Sequence, residues 1–376
     1  MALSKMMRSL VERAFDRIDA PPRPQGPSWL VDAWEQVDRE FVTAPPLTLH
    51  LPVPALFAAA WAATRESLLA GPADRVAREV IAAAVSTLND CPYCVDSHAA
   101  STSALGHDGV AKALRAGSAA QIVNDQLRAA AAWAGATRSP GDPLLANPPF
   151  APEDKPYAVG TALTFHYLNR MVCAFLKPAP AKVPSFIDQR GFMTRVLGRF
   201  PGRLLGIANL EPGASLQFCT SAPTVPALTS LEKAPQLAAA WSALVAAADS
   251  AGEAVLSDRT RTVIFDTIES WTGADPGLGS DWMRRAVASL PEDEHAPATF
   301  SLVCALAPYR VEDRLVDAVR TTHPADADVV AIAAWASVRA ALRIGTWIST
   351  PDVVAPRSRL ATRPPPVATN PCGWWD

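Results

Sequence analysis

Charge is scarce in this chain. Of its 376 residues only 19% are Asp, Glu, Lys or Arg, and they nearly cancel to a formal net charge of −3. There is therefore no basic footprint, and no nucleic-acid partner is expected. Nor is there the charge excess of a disordered tail, because hydrophobic residues make up 49% and allow a sizeable core. Cysteine is sparse as well: six residues are too few for a disulfide framework. The amino terminus, MALSKMMRSLVERAFDRIDA, interleaves charges with apolar residues and lacks the unbroken apolar core of a signal peptide. Export is not indicated, and a cytoplasmic location is expected. The longest uncharged stretch near the front, Leu47 to Thr64, contains His50, Pro52 and Pro54. It reads as a loop leading into a buried helix, so no membrane span is expected.

Strand signals are almost absent too, which makes the expected class all-α. Prolines number 35 against 19 glycines, and they punctuate apolar stretches instead of running through them, as in helices cut by Pro-rich connections. Amphipathic patterns predict helices over Leu10–Ile18 and Trp29–Phe41, then over Pro54–Leu69, Asp74–Leu88, Pro92–Leu105, Asp108–Ala116, Ala119–Ala136 and Pro156–Leu176. The stretch Pro178 to Pro212 reads as a connection between halves, and the tail from Thr350 as irregular. A faint internal repeat relates the halves. PALFAAAW, ending at Trp61, resembles PQLAAAW, ending at Trp241; REVI from Arg78 resembles RTVI from Arg261; and Arg170 in FHYLNRM meets Arg343. The second copy is about ten residues shorter, and the deficit falls where the first copy carries Cys91 to His98. The expected organisation is an N-terminal helical extension (1–45), a catalytic helical domain (46–205), a degenerate second helical lobe (206–350) and a tail (351–376).

The chemistry concentrates in one run, Glu79-VIAAAVSTLND-Cys91-Pro-Tyr-Cys94-Val-Asp-Ser-His98. Proline is favoured at the first helical position, so a helix beginning at Pro92, capped by Asp90 or Cys91, places both thiols in its first turn. There the free N–H groups and the helix dipole are expected to lower a thiol pKa. Cys91 and Cys94 are spaced i, i+3 and Cys94 and His98 i, i+4, so the three side chains share a face. Glu79, on the preceding helix, could return against that face and orient the imidazole. Such a set supports thiolate attack on a peroxide or disulfide, resolution by the second thiol, and proton delivery to the departing atom.

This run resembles the glutamate, CxxC and trailing-histidine signature of the AhpD-like alkylhydroperoxidases in the carboxymuconolactone decarboxylase family. The resemblance extends to SxxALGHD from Ser101, in which Ser103 is followed by ALGHD, to LRAG at Leu114 to Gly117 and to FHYLNRM from Phe165, covering about residues 50 to 176. It implies an all-helical fold, a redox-active dithiol of Cys91 and Cys94, a relay through Glu79 and His98, no bound cofactor, and homo-oligomeric assembly. The implied substrate is a peroxide, with a dithiol or a lipoyl-bearing adaptor protein as reductant. Cys94, next to His98, is assigned as the attacking thiol and Cys91 as its resolving partner, though the roles can be exchanged. Decarboxylase members lack the paired cysteines, so the CxxC favours the peroxidase branch. The alternatives are a decarboxylase-like enzyme acting on a small organic acid, or a non-catalytic assembly protein.

Zinc is the chemical competitor, since Cys91, Cys94, His98 and Glu79 could supply four ligands, but the second knuckle typical of structural zinc is missing, and no metal is expected. A c-type haem is excluded because Val95 follows Cys94. CPYC with TVP at Thr224 to Pro226 mimics glutaredoxins, yet the segment upstream of Cys91 is helical in pattern and the TVP too distant. His166, Asn169 and Arg170 form a polar stripe read as packing or an oligomer contact, and His107 as a helix-start residue. Cys173, Cys219 and Cys304 are read as inert buried thiols, Cys372 as an exposed one, and the eleven tryptophans as core anchors.

Overall fold

Proline opens helix after helix in this chain, because its missing N–H is one that a first turn leaves unpaired in any case. A computed structural model describes residues 12–177 and 210–350. Its longer helices are α1 (Ser28–Glu40), α2 (Pro54–Thr64), α3 (Arg75–Leu88), α4 (Pro92–Ala104), α5 (Asp108–Arg115), α6 (Asp125–Ala136) and α7 (Lys155–Phe175). After the undescribed segment come α8 (Pro235–Val255), α9 (Asp258–Ser270), α10 (Asp281–Val287), α11 (His295–Leu306), α12 (Asp313–Arg320) and α13 (Asp326–Ser349). Proline stands in the first turn of α2, α4, α7 and α8. Among the described residues the extended backbone amounts to one isolated bridge, Phe15 to Leu176. The fold is all-α, as expected.

Four long helices make the middle of the molecule: α7 packs on α13, α13 on α8, and α8 on α2. Their sequences explain the packing. Trp61, Trp241 and Trp347 are fully buried, as is Trp133 on α6, and truncating such a side chain to alanine typically costs about 3–5 kcal/mol. Small residues let backbones approach; Gly345 on α13 sits so near Ala227 that an added Cβ would lie 2.8 Å from its carbonyl oxygen. Helix α13 is the one described helix long and apolar enough to cross a membrane, and 83% of its most apolar window is buried inside the protein. That is how the core helix of a globular fold reads.

Leu47 to Thr64 leads into the buried helix α2, as its composition suggests. Two expected helices are corrected. The described part of Leu10–Ile18 is mainly turn and bridge, because Phe15 pairs with Leu176 and Arg17 binds the carbonyls at the end of α7. The pattern Ala119–Ala136 is broken: Ala119–Gln121 is a 3₁₀ turn, and Asn124 starts α6 afresh by accepting the Leu127 N–H at 3.0 Å. Most of the Pro178–Pro212 connection, and the tail with Cys372 beyond Thr350, lie outside the described residues.

Candidate active site

Helix α3 ends in a Schellman closure. The Cys91 N–H donates to Ser86 O at 2.9 Å and the Asp90 N–H to Thr87 O at 3.2 Å, with Asp90 at φ 51° in the left-handed position usually given to glycine. The closure reverses the chain at once, leaves Cys91 as N-cap of α4 and lays α4 back along α3. Glu79 and His98 meet as a result: His98 Nδ1 lies 2.6 Å from Glu79 Oε2. The imidazole and the Phe165 ring of α7 meet in a T-shaped pair, centroids 4.3 Å apart.

The other carboxylate oxygen is held by Arg75, one turn earlier on α3. Its Nε and Nη2 donate to Glu79 Oε1 at 2.7 and 2.5 Å. Burial of Glu79 would push its carboxyl up, but the Arg75 and His98 charges and their hydrogen bonds outweigh that and hold it down at about 2. Glu79 is thus an anion at neutral pH, fully enclosed and aimed at the imidazole. Arg75 was absent from the sequence argument, although the i, i+4 spacing to Glu79 was there to be read.

Both motif cysteines are buried, Cys91 at 1% and Cys94 at 4% exposure. Desolvation pushes the Cys91 thiol well above its ordinary value, so the expected lowering by the helix start does not hold for this residue: loss of water outweighs the partial charge of the first turn. A hydrogen bond from Cys173 acts in the opposite sense. Cys173 is also corrected. It is partly exposed, it lies near enough to Cys91 for the two thiols to push on each other's pKa, and its thiol donates to Asp90 O at 3.9 Å. Cys219 is partly exposed too, whereas Cys304 is buried as expected. Among the described residues no three His, Cys, Asp or Glu side chains gather as a metal-ligand set.

Behind the Asp90 turn lies a buried polar network. Asn89 Nδ2 donates to Asn169 Oδ1 at 2.9 Å and to His166 Nδ1 at 3.1 Å, while Asn169 Nδ2 donates to Ser86 Oγ at 3.0 Å. His166 accepts at Nδ1, so its proton belongs on Nε2, which faces Thr137 Oγ1 at 2.8 Å. Arg170 carries the network onward, donating to His166 O and to Ala305 O of α11. The polar stripe of α7 is therefore internal packing that braces the turn beneath Cys91. His107 stands at the start of α5, as read from the sequence, without a side-chain capping bond.

The carboxymuconolactone decarboxylase family profile matches residues 55–139, the span that holds Glu79, Cys91, Cys94 and His98. The chain is also 34% identical over 330 residues to alkyl hydroperoxide reductase Rv2159c of Mycobacterium tuberculosis (strain ATCC 25618 / H37Rv), an alignment spanning 88% of this chain and 93% of that protein. The chain belongs to the carboxymuconolactone decarboxylase family. The likeness to the mycobacterial protein runs well past the family profile, so the second half has a counterpart there and is no appendage peculiar to this chain.

Proposed function

We propose that the protein is a thiol-dependent peroxidase whose dithiol is Cys91 and Cys94. The Cys94 sulfur attacks the outer oxygen of a hydroperoxide, the O–O bond breaks, and the departing alkoxide takes a proton from His98. The resulting Cys94 sulfenic acid is attacked by Cys91, which forms the Cys91–Cys94 disulfide and releases water. A dithiol, free or lipoyl-bearing on a protein, then returns two electrons. His98 commits Nδ1 to Glu79, which leaves Nε2 to exchange protons with the thiols, and the Glu79 anion stabilises the imidazolium form that donates.

The observation that carries this reading is the 2.6 Å Glu79–His98 contact on the helix that bears the CxxC pair. The name of the mycobacterial relative, alkyl hydroperoxide reductase, points the same way. Persistence of the thiols calls for a reducing compartment such as the cytoplasm. The second half, in which Thr262 stands where the repeat aligns Glu79 and no CxxC follows, serves in this reading as a catalytically empty built-in partner. The test is thiol titration and mass spectrometry after one equivalent of peroxide: two titratable thiols are lost to a Cys91–Cys94 disulfide. Both cysteines remaining reduced, or a stoichiometric zinc ion between them, would end the proposal.

A further inference from the structure

The dithiol has a third sulfur beside it. Cys173, in the last turn of α7, is near enough to the Cys91 thiol for the two to shift each other's pKa, and its thiol donates to the carbonyl oxygen of Asp90, the residue just before Cys91, at 3.9 Å. The three cysteines differ in access: Cys91 and Cys94 are 1% and 4% exposed, whereas Cys173 reaches the surface in part. Thiol–disulfide exchange requires the attacking sulfur to contact a disulfide sulfur, so access decides which sulfur a reductant can use. A small peroxide can diffuse to a buried thiol. A dithiol borne on a protein is held off by the bulk of its carrier.

We propose that Cys173 is the outward thiol of a three-cysteine relay and the point at which a carrier-borne dithiol delivers its electrons. The inference rests on the peroxidase reading above. Once peroxide has left a Cys91–Cys94 disulfide, the Cys173 sulfur attacks Cys91 Sγ. The Cys91–Cys173 bond forms as the Cys91–Cys94 bond breaks, and Cys94 leaves as a thiol, taking up the proton that Cys173 gave up. This exchange is redox-neutral. The external dithiol then attacks Cys173 Sγ, Cys91 leaves and is protonated, and a mixed disulfide joins Cys173 to the carrier. The second sulfur of the dithiol closes on the first, expelling Cys173 as a thiol and leaving the carrier oxidised by two electrons. Cys91, not Cys94, is the sulfur attacked, because Cys173 sits against the turn that carries Cys91, 3.9 Å from Asp90 O. Cys304, fully buried and close enough to Cys173 to feel its charge, has no access of its own.

The test maps disulfides by non-reducing peptide analysis and follows reduction of the oxidised full-length protein by dihydrolipoamide, either free or on a lipoylated carrier domain. Wild type treated with one equivalent of hydrogen peroxide should yield both Cys91–Cys94 and Cys91–Cys173 linkages, and Cys94→Ser oxidised with diamide should yield Cys91–Cys173. Cys173→Ser should slow reduction by the carrier-borne dithiol about tenfold or more relative to the free one. Cys173→Ala, checked for helix content by circular dichroism, repeats the measurement with a side chain that cannot bond Cys91. A Cys91–Cys94 disulfide in wild type, with no Cys91–Cys173 linkage in either protein and carrier-borne reduction unaffected by the Cys173 variants, would overturn the relay and leave the peroxidase standing. Linkage of Cys173 to Cys304 in place of Cys91 would overturn it too. Failure of wild type to form Cys91–Cys94 at all would remove the peroxidase reading and the relay with it.

Discussion

Glu79 Oε2 lies 2.6 Å from His98 Nδ1, although nineteen residues and a reversal of chain direction separate the two. The contact gives one imidazole nitrogen a fixed anionic partner and, in the proposed reaction, leaves the other for proton transfer. Glu79→Gln keeps the shape of the side chain and removes the anion, so it should slow peroxide-driven disulfide formation by about 10²–10⁴-fold, the usual range of acid–base assistance. His98→Ala should do likewise. Because the two act as one unit, the double variant should be little slower than either single one in stopped-flow measurement. Effects that multiply would show that Glu79 does not work through His98.

The meeting of these two residues was legible in the sequence because it depends on local rules. Pro92 announces the start of α4, and the i, i+3 and i, i+4 spacings align Cys91, Cys94 and His98 whatever the rest of the fold does. What was not legible is tertiary. Cys173 reaches the Cys91 turn only because α7 packs on α3, and no periodicity in the sequence encodes that packing. The thiol pKa was misjudged for a related reason: the helix start is visible in the sequence, whereas the burial that outweighs it belongs to the packed whole. The break before α6 was missed because Asn124 had to be recognised as a cap within an apparently continuous pattern.

Acid should weaken the fold from just below neutral pH. His50 is buried and its imidazole is pushed down to about 4 by desolvation, and desolvation likewise holds His166 well below 6.5. The unfolded chain takes up these protons as pH falls through about 6.5 while the folded chain does not, so stability declines from there toward pH 4. Glu79 adds a second loss. Its folded pKa is depressed, so its contribution is complete above the ordinary 4.5 and disappears as pH falls toward about 2. Thermal melts against pH should show both windows, and His50→Gln should flatten the upper one. A melting temperature that stays level between pH 7 and 4 would contradict the assignment.

The turn after α9 should tolerate no side chain at Gly273. This residue sits at φ +85°, and a Cβ there would fall 1.8 Å from the backbone oxygen of Arg138. The contact matters because Arg138 bridges the halves, donating to Gly273 O at 3.1 Å and to Leu88 O at 3.0 Å in the last turn of α3. Its guanidinium lies over the Trp271 ring. Gly273→Ala must therefore displace backbone, not merely a flexible side chain, and should destabilise by about 1–3 kcal/mol in denaturant titration. A change within about 0.5 kcal/mol, the usual bound for an inconsequential surface substitution, would show that the loop does not hold this contact in solution.

Removing the second half should leave the first unable to stand alone. Helices α2 and α7 bury their apolar faces against α8 and α13, and the contacts between halves include polar ones: Trp241 Nε1 donates to Thr164 Oγ1 at 3.2 Å, and Arg170 Nε to Ala305 O at 2.8 Å. Arg170 also holds the network that braces the turn beneath Cys91, so loss of Ala305 reaches toward the dithiol. A fragment of residues 1–205 would expose these faces to water, and apolar surface on that scale is ordinarily covered by association. The fragment should therefore be poorly soluble or form assemblies larger than a monomer in light scattering after size exclusion, with impaired peroxide-driven disulfide formation. If the second half is a built-in partner, adding residues 206–376 in trans should return solubility and activity together. A monomeric, stable and fully active fragment would instead make the second half an independent module, and the packing of α2 on α8 and of α7 on α13 a matter of adhesion, not of support for the site.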